Sequence, residues 1–505
     1  MNPRSAAVWL ALLAGVAAAQ SGGTASNEAE QAASGELPAR GLVSRTDQAF
    51  AGYTLVGPLR SRSVYLVDLA GEPVHSWTTS EYGPGGGCYL EPDGHLLRCG
   101  RVDANPRFHG GGIGGVLEEF DWDGHLLWSY TLADEYRTQH HDLERLSNGN
   151  VLAIVWEYLS PEEARRFGRD EDAVGAEGLW PDAVLEIRPT PPAGGEVVWE
   201  WHAWDHLIQD RDPQAPYFGS IPDEPGRIDI NADHRDRPPI SAKERARQEE
   251  LLAEMRDLGY VGGEDDPEEI GERRVDDDER RRPDWLHVNA VAYCPKHDLI
   301  ALSSPHLCEI FVIDHSTTSE QAAGSTGGRF GHGGDLLWRW GNPRNYGCGT
   351  DADRQLFYQH DPSWLRLDDG LGMLVFNNGG PRFEREFSTV DELVLPFDPE
   401  RGFLREPDEP FGPAAPRWQQ RGELGYFSPF ISGAQRLPNG NTLICVGAVG
   451  RIYEVTRDGT IVWDYLNPYD GDPGSTSTTP GAPPNALFRA YRYGVDDPAV
   501  SRLKP

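Results

Sequence analysis

His141, His287 and His360 each stand at the head of a similar segment, in which a histidine is followed by a short apolar strand, a turn and a second strand. The first segment runs from His141 through Asn148-Gly-Asn150 into Val-Leu-Ala-Ile-Val. The second runs from His287-Val-Asn289 into Leu-Ile-Ala-Leu-Ser, and the third from His360-Asp-Pro-Ser-Trp-Leu into Met-Leu-Val-Phe. Imidazole suits three kinds of chemistry: nucleophilic attack while neutral, proton transfer, and metal ligation. One shared site requires a closed ring of repeats, which brings equivalent positions around a single axis. Taken singly, each histidine reads equally well as a polar residue that caps an inner strand for packing reasons.

The rest of the repeat supplies that ring. Tryptophan-containing strands recur after apolar or acidic strands and turns, at Trp77, Trp128, Trp199, Trp338, Trp418 and Trp463, which makes six units, the fifth of them degenerate. The strands are short, rich in β-branched and aromatic residues, and separated by Asp-Gly and Asn-Gly turns. This pattern predicts an all-β fold, a six-bladed β-propeller over residues 49–470 with a charged, partly helical insertion at 205–284. Within the insertion, Ser241 and Glu244 form a capping box, and Leu251, Leu252, Met255 and Leu258 share a helical face. A lid with one amphipathic helix is expected there, or a solvated insert over the charged run 264–282. Residues 1–19 read as a signal peptide too short to span a bilayer, 20–48 as a flexible linker, and 471–505 as a tail. The mature chain is therefore expected to be secreted or periplasmic, with no transmembrane span.

A formal net charge of −34 argues against a nucleic-acid partner, whose phosphates it would repel. None of the three lysines (Lys243, Lys296, Lys504) follows a glycine in a phosphate-cradling loop, which disfavours a nucleotide donor. The acidic spacing of the insertion does not make a calcium loop. Of the six cysteines, Cys88 and Cys99 flank the Pro92-Asp-Gly94 turn and are expected to pair, with buried free thiols as the alternative.

Gln139-His-His-Asp142, Trp285-Leu-His-Val-Asn289, Trp340-Gly-Asn-Pro343, Gln359-His-Asp361, Phe376-Asn-Asn-Gly379 and Leu437-Pro-Asn-Gly-Asn441 together resemble the bacterial arylsulfotransferases. The resemblance covers about residues 50–470. It implies a six-bladed propeller that moves a sulfuryl group from a phenolic sulfate ester to another phenol, without nucleotide or other cofactor. It implies His360 as the nucleophile that becomes sulfohistidine, His287 with Asn289 as the sulfuryl-binding pair, and His141 as the third histidine, with His140 as its substitute one residue away. Gln359, Asn377, His306 and Arg382 are the accompanying substrate-binding candidates. The family's arginine is missing from its usual place, where this chain reads Ser303-Ser-Pro-His306; Arg344, Arg382, Arg436 or Arg451, or His306 itself, is expected to supply the charge. The family's separate N-terminal β-sandwich is also expected to be missing, because residues 20–48 before the first repeat read as a linker. The implied partners are small aryl sulfates and phenols. Two rival functions share the same channel: a non-catalytic propeller that binds sulfated or anionic ligands, and a metal-dependent hydrolase or lyase with the three histidines as ligands.

Overall fold

The computed structural model describes residues 40–503 apart from 104, 234–280, 369, 381–384, 386, 422–425 and 473–483. The main strands form six antiparallel sheets, five of four strands and one of five, the blades of a propeller. Blade I takes its innermost strand, Leu487–Gly494, from the end of the chain and its outer three, Gly52–Pro58, Ser63–Val67 and Pro73–Thr78, from the beginning. Blades II and III start with Gly83–Leu90 and Arg137–Arg145, and blades IV, V and VI with Ala290–Cys294, His360–Leu367 and Gly433–Arg436.

Strands sandwiched between neighbouring blades bury both faces, which accounts for the unbroken apolar runs. Val151–Glu157 and Leu299–Ser304 are buried along their whole length. The glycines of the Asn-Gly turns adopt φ of 87° at Gly149 and 89° at Gly440, a left-handed conformation that costs glycine nothing.

The six repeating tryptophans have a common task. Each lies on the fourth strand of its blade counted from the axis, and its indole N–H crosses to the next blade. Trp77 donates to Asp121 O (3.1 Å), Trp128 to Gly194 O (2.7 Å), Trp199 to Thr317 Oγ1 (3.2 Å), Trp338 to Gly412 O (2.8 Å), Trp418 to Arg457 O (2.8 Å) and Trp463 to Leu69 O (3.0 Å). The last of these joins blade VI back to blade I, so the indole staples run around the whole ring.

Three sequence expectations change. The stretch read as a tail contains the inner strand Leu487–Gly494, so the propeller extends beyond residue 470. The stretch read as a linker to residue 48 contains Gly41–Arg45, a fifth strand on the outer edge of blade VI paired with Ile461–Leu466. Cys88 and Cys99 do not pair: Cys88 lies opposite Arg98, so Cys99, one residue on, points to the other sheet face, and all six cysteines are free thiols. Consistent with this, the two sulfurs belong to different apolar clusters. The expected signal peptide 1–19, the helix 241–258 and nearly all of the charged run 264–282 lie outside the described residues. No helix among the described residues is long and apolar enough to cross a membrane.

Candidate functional site

The inner strands carry their histidines to one end of the channel. The rings of His141 and His287 meet edge to face with centroids 4.4 Å apart, and His306 stacks on the other side of His287 at 4.6 Å. His141 and His360 are buried, whereas His287 and His306 are half-buried and form the more accessible edge of the group. Both His141 and His287 have φ of 53°, but in blade V the left-handed residue is Asp361, one past His360. The repeat equivalence is thus approximate at the third histidine. A glycine fits the channel beside His141: a Cβ on Gly112 would stand 2.0 Å from His141 Nε2.

The hydrogen bonds around His360 define its tautomer. Asn378 Nδ2 donates to Ser428 O and Ile431 O, both at 2.8 Å, which turns its Oδ1 toward His360 Nδ1, also 2.8 Å away. Tyr358 O lies 3.0 Å from the same nitrogen. Two acceptors face Nδ1, so Nδ1 carries the hydrogen and Nε2 carries the lone pair. The Ile431 N–H donates to that lone pair at 3.1 Å. Burial pushes the His360 pKa down to about 3, reinforced by nearby Arg489 and His287 and opposed by the Asn378 bond, so the ring is neutral at ordinary pH. Burial likewise holds His141 well below the usual imidazole range, with His287, His140 and His360 adding to the effect. Ile431 itself has φ of 49°, strained for a β-branched residue.

Carboxylates stand behind the other two imidazoles. His287 Nδ1 makes a very short hydrogen bond with Asp284 Oδ2. Burial works against ionisation of Asp284, but His287 and Arg282 outweigh it and keep its pKa below the carboxylate norm. His140 lies behind His141, with the two Nδ1 atoms 2.7 Å apart, its Nε2 3.1 Å from Asp182 Oδ1, and its ring stacked on Trp156 at 4.1 Å.

Arg489 is the arginine that enters this channel. From the inner strand of blade I it reaches Tyr89 Oη (2.9 Å, blade II), Asp142 Oδ2 (2.7 Å, blade III), Asn289 O (2.8 Å, just before the inner strand of blade IV) and Asp361 Oδ1 (3.4 Å, blade V). Burial lowers its pKa, but Asp142, Tyr89 and Asp361 outweigh that and keep it charged. Of the expected substitutes, Arg344 pairs with Asp351, Arg436 with Glu392 and Arg451 with Asp464, Arg382 lies outside the described residues, and His306 stacks on His287.

The sequence pattern of the family described as Arylsulfotransferase (ASST) matches residues 60–464. The chain belongs to the arylsulfotransferase family. It is 25% identical over 348 residues to an arylsulfate sulfotransferase, AssT, of Lelliottia amnigena; the match covers 67% of this chain and 50% of that one, so the chain spans about half the length of this curated relative. Solved structures with a similar course include a protein of unknown function from Bacteroides caccae (12% identity, TM-score 0.40, 87% of this chain and 98% of that one). Another is a putative 6-phosphogluconolactonase from Bacteroides fragilis (10% identity, TM-score 0.38, 89% and 99%). Neither likeness says anything about activity.

In this member of the family the sequence candidates divide into two sets. His141, His287, His306, His360 and Asn289 come together, with Asn289 Nδ2 donating to Gln359 O at 3.0 Å. The side chains of Gln359 and Asn377 are engaged inside the blades instead. Gln359 Nε2 donates to Glu309 O (2.8 Å) and Ser303 Oγ (3.2 Å), while Asn377 Nδ2 donates to Asp391 Oδ2 (2.8 Å) and its Oδ1 accepts from Phe357 N–H (2.9 Å). Asn378, the next residue, is the one that touches His360. The residues missed by sequence reasoning are therefore Asn378, Asp284, Asp182, Ile431 and Arg489. Strand alternation through Phe376-Asn-Asn-Gly379 would have exposed the choice between the two asparagines. Arg489 was hidden by the placement of the propeller's end at residue 470.

Proposed function

We propose that the chain transfers a sulfuryl group from a phenolic sulfate ester to a phenol through His360. The observation that carries this reading is the neutral His360 ring with its hydrogen fixed on Nδ1, which leaves a lone pair on Nε2 beside two further imidazoles and an arginine. Nε2 attacks sulfur, the S–O bond to the arene breaks, and the phenolate leaves with the electron pair. An acceptor phenol then gives up its proton, its oxygen attacks the same sulfur, and the N–S bond breaks. Splitting one displacement into two in this way needs donors aimed at the sulfuryl oxygens. At rest the Ile431 N–H caps the Nε2 lone pair, so this hydrogen bond breaks as sulfur approaches, and the freed amide hydrogen can then turn to a sulfuryl oxygen. Asn289 Nδ2 has a second hydrogen, and Arg489 contributes a positive charge shared with Asp142. His141 and His287 are suited to passing the proton between phenol and phenolate, and the half-buried rings of His306 and Tyr358, 6.2 Å apart, offer an arene its entry surface. Export to the periplasm or beyond is part of the proposal, carried by the leader-like residues 1–19.

The test is incubation with a chromogenic aryl sulfate, with and without a phenol acceptor. The proposal expects a burst of phenol and acceptor-dependent turnover, both abolished by His360→Ala. Full turnover by that variant contradicts the assignment of His360, and a wild type inert towards aryl sulfates contradicts the enzyme reading in favour of an anion-binding propeller.

A further inference from the structure

Asp284, His287 and His306 each offer a ligand atom within 4.8 Å of the other two. The first two are three residues apart on the approach to blade IV, and His306 follows the second strand of the same blade, in the Ser303-Ser-Pro-His306 turn. Their surroundings differ from those of the other carboxylate–imidazole groups among the described residues. Asp93, His95 and Glu119 are already occupied with one another and with Arg145, while Asp121, Asp123 and His125 lie at an exposed hairpin turn. Asp284 is 9% exposed and has one oxygen, Oδ1, buried without a hydrogen-bond partner. Leaving such an oxygen unpaired costs on the order of 1–3 kcal/mol, more for a charged group, unless a ligand completes it. The imidazole of His306 has its Nδ1 3.2 Å from Trp285 O, an acceptor, which places the hydrogen on Nδ1 and the lone pair on Nε2.

We propose that Asp284, His287 and His306 form a binding site for a divalent transition metal of the zinc class, with one coordination position left open toward the channel. Two imidazoles and one carboxylate are a zinc donor set, and three protein ligands leave a fourth place for water or an anion. Tetrahedral zinc holds its ligand atoms roughly 3.4 Å apart at metal–ligand distances of about 2.0–2.1 Å, so side-chain rotations at the half-buried His287 and His306 are enough to close the set. When Asp284 and His287 both bind the metal, the hydrogen they now share is released to solvent as a proton. The grouping differs from the three-histidine set expected from sequence: among the described residues, no cluster of this kind includes His141 or His360. A metal here would occupy His287 and set an electrophile beside the anion site, so metal occupancy and sulfuryl transfer would be linked; the binding itself does not depend on the transferase reading.

The probe is Zn2+ added to chelator-treated full-length protein, followed by gel filtration and elemental analysis, with affinity measured by competition against a chromogenic chelator. The expected result is one tightly held zinc per chain and at least a tenfold loss of affinity in both His306→Gln and Asp284→Asn, with His95→Ala unchanged. Crystals soaked in a zinc salt should show an anomalous peak between Asp284 and His306, a readout that stands even if a variant folds poorly. Stoichiometric zinc retained in His306→Gln, a peak elsewhere, or no tight binding by the wild type would each overturn the proposal. Failure of the transferase assay with zinc still bound at this place would sink the functional reading alone.

Discussion

At the scale of single residues the account rests on where hydrogens sit. Asn378 holds the hydrogen on His360 Nδ1, so Asn378→Ala should slow formation of the sulfohistidine by at least tenfold while acceptor KM stays nearly unchanged, because the ring loses its orienting partner rather than a substrate contact. A burst of unchanged rate in that variant would contradict the orienting role of Asn378 and leave Tyr358 O as the acceptor that holds the ring. The pH dependence follows from the sign of the His360 shift. The lone pair is lost only when the ring is protonated, and with a pKa pushed down from 6.5 to about 3 the nucleophile stays competent as pH falls through the range where an ordinary histidine charges. The burst rate constant should therefore show no decline with a midpoint near 6.5 that is traceable to His360. Stopped-flow phenol release measured between about pH 5 and 8 checks this, and a protonation of His360 near 6.5, seen by NMR of a ring-labelled sample, would refute it.

Elements determine which residues meet. The indole staples predict that Trp128→Phe, which keeps the ring but leaves Gly194 O without its donor, costs about 1 kcal/mol in denaturant unfolding and leaves turnover unaffected. Gly112→Ala should do the reverse: its Cβ collides with His141 Nε2, so turnover should drop sharply while the fold remains. Wild-type rates in Gly112→Ala would remove His141 from the site. Much of this organisation was legible in the sequence because the physics is local. Trp strands at regular intervals, Asn-Gly turns and apolar runs each report their own blade, and the three histidines lie on or just before the inner strands of three blades. The parts that escaped depend on pairing between distant segments. Leu487–Gly494 follows a stretch rich in Gly, Ser, Thr and Pro, with no neighbouring hairpin to mark it, and its partner Gly52–Pro58 lies at the other end of the chain. The Cys88–Cys99 expectation failed on register: the hairpin turn pairs Leu90 with Leu96, which sets Cys88 opposite Arg98, and a single-residue slip moves a side chain to the opposite face.

For the whole molecule, ring closure and site assembly depend on the same strand. Arg489 leaves the closing strand and binds groups contributed by four other blades, with Asp142 and Asp361 nearly inaccessible around it. Removing it strands two buried carboxylates, so Arg489→Ala should lose about 3–5 kcal/mol of stability and turnover with it. Thermal and denaturant unfolding measure the first. A variant as stable as the wild type would show that the arginine is not the pin at the axis.

The central claim is that His360 carries the sulfuryl group, and peptide mass spectrometry after brief exposure to an aryl sulfate without acceptor tests it most directly. The account predicts a sulfuryl adduct on the His360 peptide that disappears when a phenol is added. An adduct on His141 or His287 instead, or turnover with no adduct on any histidine, would contradict it.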